Sequence, residues 1–139
     1  MNTTHNDWLA LIGRILMAVL YINTSIGWLT GNNGLQGPIT AAANAGMPLA
    51  NIAVPIGLAI MILGSLSLIL GFYMRLGALG LALFTLLAFA FFHRFWEKPD
   101  AAAAGDKVHF FKDLALFGAQ LFMAAFGPGR LSVDARRAR

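Results

Sequence analysis

The chain has 139 residues, 58% apolar and 12% charged, with a formal net charge of +4 and a mean hydropathy of +0.70, where soluble domains run at roughly 45–50% and 25%. Sixty consecutive residues, 15–74, contain no Asp, Glu, Lys, Arg or His, a composition that a water-facing surface cannot sustain and that a bilayer core favours, since each central charge there costs roughly 2.5–3.5 kcal/mol. A soluble domain is thereby excluded, and the absence of Cys excludes disulfides, iron–sulfur ligation and thiol catalysis.

Residues 8–30 are predicted to form the first span, with Trp8 near one interface and Trp28 near the other. Gly31-Asn32-Asn33-Gly34 ends it with residues that tolerate left-handed backbone. Residues 38–46 read as a short helix between Pro38 and Gly46, too short to cross, lying in the interface or over the mouth of the bundle. The second span is expected over 51–73. Its Gly57, Gly64 and Gly71 recur every seven residues, share one face, and let a neighbouring helix approach closely. Arg75 punctuates a tight turn to the third span, 76–92. A loop containing Ala101 to Ala104 then leads to a fourth, 110–126, stopped by Gly127-Pro128-Gly129. The expected fold is all-α and a single transmembrane domain: an antiparallel four-helix bundle with a short interfacial helix in the first outer loop and a basic tail over 127–139.

Four crossings put both termini on one side. That side holds six Lys or Arg (Arg14, Arg75, Arg130, Arg136, Arg137, Arg139) and the other holds four (Arg94, Lys98, Lys107, Lys112). Positive-inside logic therefore places both termini in the cytoplasm. The basic tail suits anionic lipid headgroups, and the pI near 10.1 reflects this local excess rather than a nucleic-acid surface. Residues 1–7 supply no basic leader region and no small-x-small cleavage site follows cleanly, so the first helix is expected to be retained. The spans show neither acidic residues nor a close internal repeat, so a proton-coupled pump or inverted-repeat transporter is not indicated.

Arg14 lies about two turns into the first span, where a guanidinium must be paired or hydrated. Three readings stand: snorkelling to headgroups, a fixed pair with Asp134 at the matching depth, or a site for an anionic ligand. Gln120, together with Asn23, Thr24, Ser25, Ser65 and Ser67, is expected to hydrogen-bond between helices. His93, Arg94 and Trp96 close the third span, and His109, Lys112 and Asp113 open the fourth on the same membrane face, amid six aromatic residues. The ordinary reading is an interfacial aromatic belt. The functional reading is a quinone mouth built from His93, Trp96, His109 and Lys112, with imidazole bonding a carbonyl and aromatics stacking the ring. The spacing matches no metal-ligand motif, and no phosphate loop, nucleophile elbow or paired carboxylates are present, so no catalytic residue is assigned.

Several short motifs, in order, resemble the DoxX family of small bacterial four-helix membrane proteins. They are Leu11-Ile12-Gly13-Arg14, Gly46-Met47-Pro48, Leu70-Gly71-Phe72-Tyr73-Met74-Arg75 and His93-Arg94-Phe95-Trp96. The most specific are Phe110-Phe111-Lys112-Asp113-Leu114-Ala115 and Gly127-Pro128-Gly129-Arg130-Leu131-Ser132-Val133-Asp134. Two positions depart from the pattern, Trp28 where relatives often carry Lys and Met61 where many carry Glu. The resemblance implies a bacterial inner-membrane protein tied to redox processes, as a quinone-linked oxidoreductase subunit or a membrane anchor in an oxidative-stress complex. The favoured reading is a non-catalytic membrane subunit or anchor for a redox partner, with no established cofactor. The alternatives are a quinone-linked oxidoreductase subunit and a small transporter or pore. Partners are the lipid bilayer, a redox protein and further copies of the chain.

Overall fold

The computed structural model describes residues 5–137; Arg139 of the basic tail lies outside them. Six helices follow in order: α1 (His5–Thr30), α2 (Gln36–Asn44), α3 (Ala50–Leu70), α4 (Met74–Phe92), α5 (Asp100–Phe126) and α6 (Val133–Arg137), with a 3-10 turn at Phe95–Glu97. No strand occurs among the described residues. By length and composition, α1, α3 and the segment Met74–Glu97 can each cross a membrane.

The long helices alternate in direction. Arg14 of α1 lies beside Gly71 at the end of α3, whereas Trp28 packs at the start of α3 near Val54. Gly64 meets Leu81 and Gly57 meets Phe84 across the α3–α4 seam. Phe89 packs on Phe110, while Arg75 reaches Gly127, so α5 runs back along α4. Outward positions are apolar, among them Leu16, Leu63, Leu83, Leu121 and Phe122. Inward positions hold Ala18, Met61, Leu68, Ala78 and Leu81 together with the polar Ser65, Thr85 and Gln120. Apolar residues facing out and polar ones facing in is the arrangement a hydrocarbon solvent selects. The outward leucine and phenylalanines of α5 place its second half in that slab beside α4.

Several expected boundaries move. The segment 101–104, expected as a loop, is helical: Pro99 stands extended at the N-cap, Asp100 occupies the positive end of the helix dipole, and alanine is the strongest helix former. At 27 residues, α5 is about 40 Å long, longer than a hydrocarbon core of about 30 Å, and its first turns project past the end of α4. The third span, α4, starts at Met74 rather than Leu76, because α3 stops at Leu70 and Gly71 caps it in the left-handed region at φ 63°. The short helix spans 36–44 rather than 38–46 and lies across the mouth of the bundle, where Ala42 packs on Ala50 and Val54.

The three glycines of α3 do different things. A Cβ on Gly57 would stand 3.1 Å from the Phe84 ring, and one on Gly64 would stand 2.7 Å from Leu81 Cγ, so both let α4 approach. Gly71 does not join that seam. A Cβ there would collide with the Arg14 guanidinium and with Ser132 of the tail.

Arg14 is 1% exposed, so it does not snorkel. Its Nη2 donates to the Leu131 carbonyl at 2.6 Å. No ion pair joins it to Asp134, so the reading of a fixed pair is corrected as well: both Asp134 oxygens accept backbone N–H groups at the start of α4, from Tyr73 at 2.9 Å and Met74 at 3.1 Å. Those donors have no partner within the helix, and Tyr73 sits at φ 46°, a conformation that a non-glycine residue holds only with outside support. The Asp134 amide returns a bond to the Gly71 carbonyl at 2.9 Å, and Asp7 accepts from the Arg130 amide at 3.1 Å. The tail is thus stitched to α1 and to the α3–α4 turn.

Because the Gly64 Cβ position is already occupied by Leu81, Gly64→Leu overpacks the α3–α4 seam, at a cost of about 1–3 kcal/mol or more. Its melting temperature in detergent falls well below wild type, while Gly13→Ala, which meets nothing within 4 Å, stays within a degree or two of it. Equal melting of the two variants would show that the seam tolerates extra volume.

Candidate functional site

A cavity of about 640 Å³ runs through the mouth half of the bundle. Its walls are apolar side chains of α1, α2, α3, α4 and α5, including Trp28, Ala42, Val54, Phe84 and Leu116. Ile56 and Leu83 line it while remaining 54% and 52% exposed on the outer surface, so it opens toward lipid. Polar groups concentrate at its two ends: Tyr21 and Thr85 at the bundle centre, and His93, Lys112 and Asp113 at the mouth. Thr85 and His93 are eight residues apart on α4 and its C-cap, which separates the ends by about 12 Å.

The inner end is a hydrogen-bonded triad from three helices. Thr85 Oγ1 donates to the Leu81 carbonyl at 2.8 Å and lies 2.6 Å from Tyr21 Oη, so the tyrosine donates to the threonine. Gln120 Nε2 donates to both, to Thr85 at 3.1 Å. Gln120 is fully buried, and its Oε1 has no hydrogen-bond partner among the described residues. Ser65 adds a weaker bond to the Ala18 carbonyl at 3.4 Å. In hydrocarbon each such contact is worth roughly 0.6–2 kcal/mol.

At the mouth, His93 ends α4 and stands between two carboxylates of α5. Its Nδ1 is 3.6 Å from Asp106 Oδ1 and its Nε2 is 3.6 Å from Asp113 Oδ2. The His109 ring stacks on it with centroids 5.1 Å apart. Lys112 donates to His109 Nδ1 at 3.3 Å and lies 3.7 Å from Asp113; Lys98 pairs with Asp106. Phe89, Phe95, Trp96, Phe110 and Phe111 form an edge-to-face cluster beside this array.

Of the expected mouth residues, His93 and Lys112 line the cavity. His109 backs His93 from behind, and Trp96, 57% exposed, packs on Phe95 and Phe110 outside the cavity lining. The sequence reading missed Tyr21 and Thr85 as partners of Gln120, although a tyrosine at mid-span is itself a signal, since a phenol there needs a partner. It also passed over Asp106, which the unexpected first turns of α5 bring back over His93. Among the described residues no group of three or more His, Asp or Glu is placed to hold a metal ion.

The family model for DoxX matches residues 9–94. The chain belongs to the DoxX family. It is 28% identical over 128 residues to the inner membrane protein YphA of Escherichia coli (strain K12), covering 92% of this chain and 89% of that protein. It is 34% identical over 124 residues to the inner membrane protein YqjF of the same strain, covering 89% and 88%. No solved structure gives a significant match. The protein is therefore an integral membrane member of DoxX. The family match includes Tyr21, Thr85 and His93 and stops before α5, which supplies Asp106, Lys112, Asp113 and Gln120.

The hydrogen bond from Lys98 holds the Asp106 carboxyl below its ordinary value of 3.8, and the charge of Lys98 and contact with His93 act in the same direction against partial desolvation. A carboxyl lowered by folding adds stability above its ordinary value, and the contribution disappears as pH falls through the lower folded value. The melting-temperature gap between wild type and Asp106→Asn is therefore expected to be constant near neutrality and to close below about pH 4. A gap that persists to pH 2 would mean that the carboxylate form is not what Lys98 and His93 hold.

Proposed function

We propose that this DoxX protein is a membrane subunit that holds a quinone-class ligand in its lipid-facing cavity and presents it to a redox partner. The carrying observation is the cavity itself: mostly apolar walls, an opening toward lipid, and its polar groups, Thr24 and the Trp28 indole apart, gathered at its two ends. A volume near 640 Å³ falls within the range of about 300–1,000 Å³ that suits a drug-sized ligand. A ring bearing carbonyl oxygens fits this donor set. Lys112 donates at the mouth, His93 donates or accepts there, and Phe84 and Trp28 supply aromatic rings along the wall. An isoprenoid or alkyl tail would leave past Ile56 and Leu83 into the bilayer. Trp96 and His109 support the mouth from outside rather than touch the ligand. The membrane anchor role follows from the same architecture, since the stitched tail presents Arg136 and Arg137 next to the α3–α4 turn, where a soluble partner or anionic headgroups can reach them.

The same reading places the termini in the cytoplasm and the His93 mouth outside it, since Lys and Arg favour the tail side. A reporter active only outside the cytoplasm, fused after Arg139, is expected to stay silent; strong activity would invert the orientation. For the ligand, protein purified in native lipid is expected to retain quinone in a near-stoichiometric amount. His93→Phe keeps the aromatic volume, removes the ring nitrogens, and should fold normally with at least about tenfold less quinone retained, a loss of roughly 1.4 kcal/mol or more. Wild-type protein that retains none and cannot be loaded would overturn the proposal.

A further inference from the structure

His93 is held differently from an imidazole that only completes a salt bridge. Each of its two nitrogens faces its own carboxylate at 3.6 Å, Asp106 on one side and Asp113 on the other. Neither acid needs the imidazole for charge balance, because Asp106 already pairs with Lys98 and Asp113 lies 3.7 Å from Lys112. The two acids also sit in different places. Asp113 lines the cavity with His93, whereas Asp106 is absent from its lining and stands in the projecting turns of α5 beside Lys98, whose side chain is 43% exposed to water. Seven residues of α5 separate them, about 10 Å along the helix, a gap that one carboxylate cannot bridge and an imidazole between them can.

We propose that Asp106, His93 and Asp113 form a proton relay between the water at the mouth and the cavity, so that whatever occupies the cavity exchanges protons there. The proposal rests on the quinone-class reading above and adds how the site handles protons. An imidazole takes a proton on one nitrogen and releases one from the other, which is the property a shuttle uses. From its 3.6 Å resting separations, a small closure or one bridging water completes each link. The other charged and titratable groups around His93 leave the two nitrogens free for this. His109 stacks on the ring face, Lys112 bonds to His109, and Arg94 turns away to the Ala45 carbonyl at 3.0 Å and to Glu97 at 3.2 Å. A quinone-class ligand that takes two electrons from an external reductant takes one proton on each carbonyl oxygen, turning two C=O groups into two C–OH groups. Inside apolar walls those protons must come through side chains, and here the chain supplies a path from Asp106 to His93 to Asp113.

The test has one arm without quinone and one with it. Full-length protein with ¹⁵N-labelled histidine is placed in lipid nanodiscs, and His93 is assigned by comparison with His93→Gln. A relay predicts that the neutral wild-type imidazole exchanges between its two tautomers, giving averaged Nδ1 and Nε2 resonances, and that Asp106→Asn collapses them to a single tautomer. A single tautomer in wild type overturns the relay whether or not quinone binds. In the second arm, protein loaded with decylubiquinone is reduced with dithionite and the quinone absorbance is followed. Asp106→Asn, whose side chain lies outside the cavity lining, is expected to bind decylubiquinone within about twofold of wild type and to reduce it roughly tenfold or more slowly. Asp106→Glu is expected to restore the rate. Reduction by Asp106→Asn at the wild-type rate, with binding intact, overturns the relay alone; wild type that binds no decylubiquinone overturns the ligand reading and the relay with it.

Discussion

A buried arginine of α1 holds the segment after α5 against one face of the bundle, and much of the rest follows from it. Arg14 is 1% exposed and donates to the Leu131 carbonyl, and among the described residues its Nε and Nη1 have no hydrogen-bond partner. A guanidinium so placed is expensive in hydrocarbon. It is supported by position: it lies at the C-terminal end of α3, the negative pole of that helix, and within the attraction of Asp134. Gly71 is glycine because this charge and the tail need its Cβ volume, and its left-handed φ turns the chain toward α4 at the same point. Asp134 then supplies the two acceptors that the start of α4 lacks. One face of the bundle is thereby closed by the molecule's own tail.

The opposite face is tied instead by Arg94, which donates to the Ala45 carbonyl at 3.0 Å. It is covered by α2, packed through Ala42, and by the projecting start of α5. Small side chains on α2 fill little of the space between Trp28, Val54 and Phe84, and the cavity begins there. The separation of a closed tail end from an open mouth end explains why ligand-competent groups gather at the mouth. There the side chains of His93, Lys112 and Asp113 are not consumed by helix capping, unlike Asp134 at the tail end.

How far the fold could be read from residues depended on which solvent set the pattern. The uncharged stretch 15–74 revealed the membrane class and the first two spans, because hydrocarbon penalises every charge and the signal needs no tertiary information. The glycine spacing led correctly to Gly57 and Gly64 but not to Gly71, where periodicity coincides with a left-handed cap. The start of α5 is expected as a loop because it lies outside the apolar span, yet its four alanines are strong helix formers and extend the helix into water. Matching depth made an Arg14–Asp134 pair one of three readings of the arginine. The structure sends the carboxylate to two unsatisfied amides instead, a competition that depends on where the α3–α4 turn lies. At the site, His93, His109 and Lys112 stood out as polar residues among aromatics. Asp106 could not be placed without the extended α5, and the cavity is a property of three-dimensional packing that no local pattern encodes.

The cavity also constrains what the protein can be doing when no specific ligand is present. A closed, dry void of 640 Å³, at about 24 cal/mol per Å³, would cost on the order of 15 kcal/mol, as much as the whole stability of a typical domain. The fold escapes that cost because Ile56 and Leu83 leave a way in from the bilayer, so acyl chains can occupy the space by default. Any specific ligand therefore competes with lipid, and its apolar body gains nothing that an acyl chain would not also gain. Selectivity must come from the polar ends, where a hydrocarbon chain leaves His93, Lys112 and Asp113 facing it without partners in the cavity, whereas a molecule with oxygen atoms in register can engage them. On the proposed reading, ligand choice would be set by a handful of groups at the mouth and the Tyr21–Thr85–Gln120 triad, while the apolar wall would set only size and the route of entry.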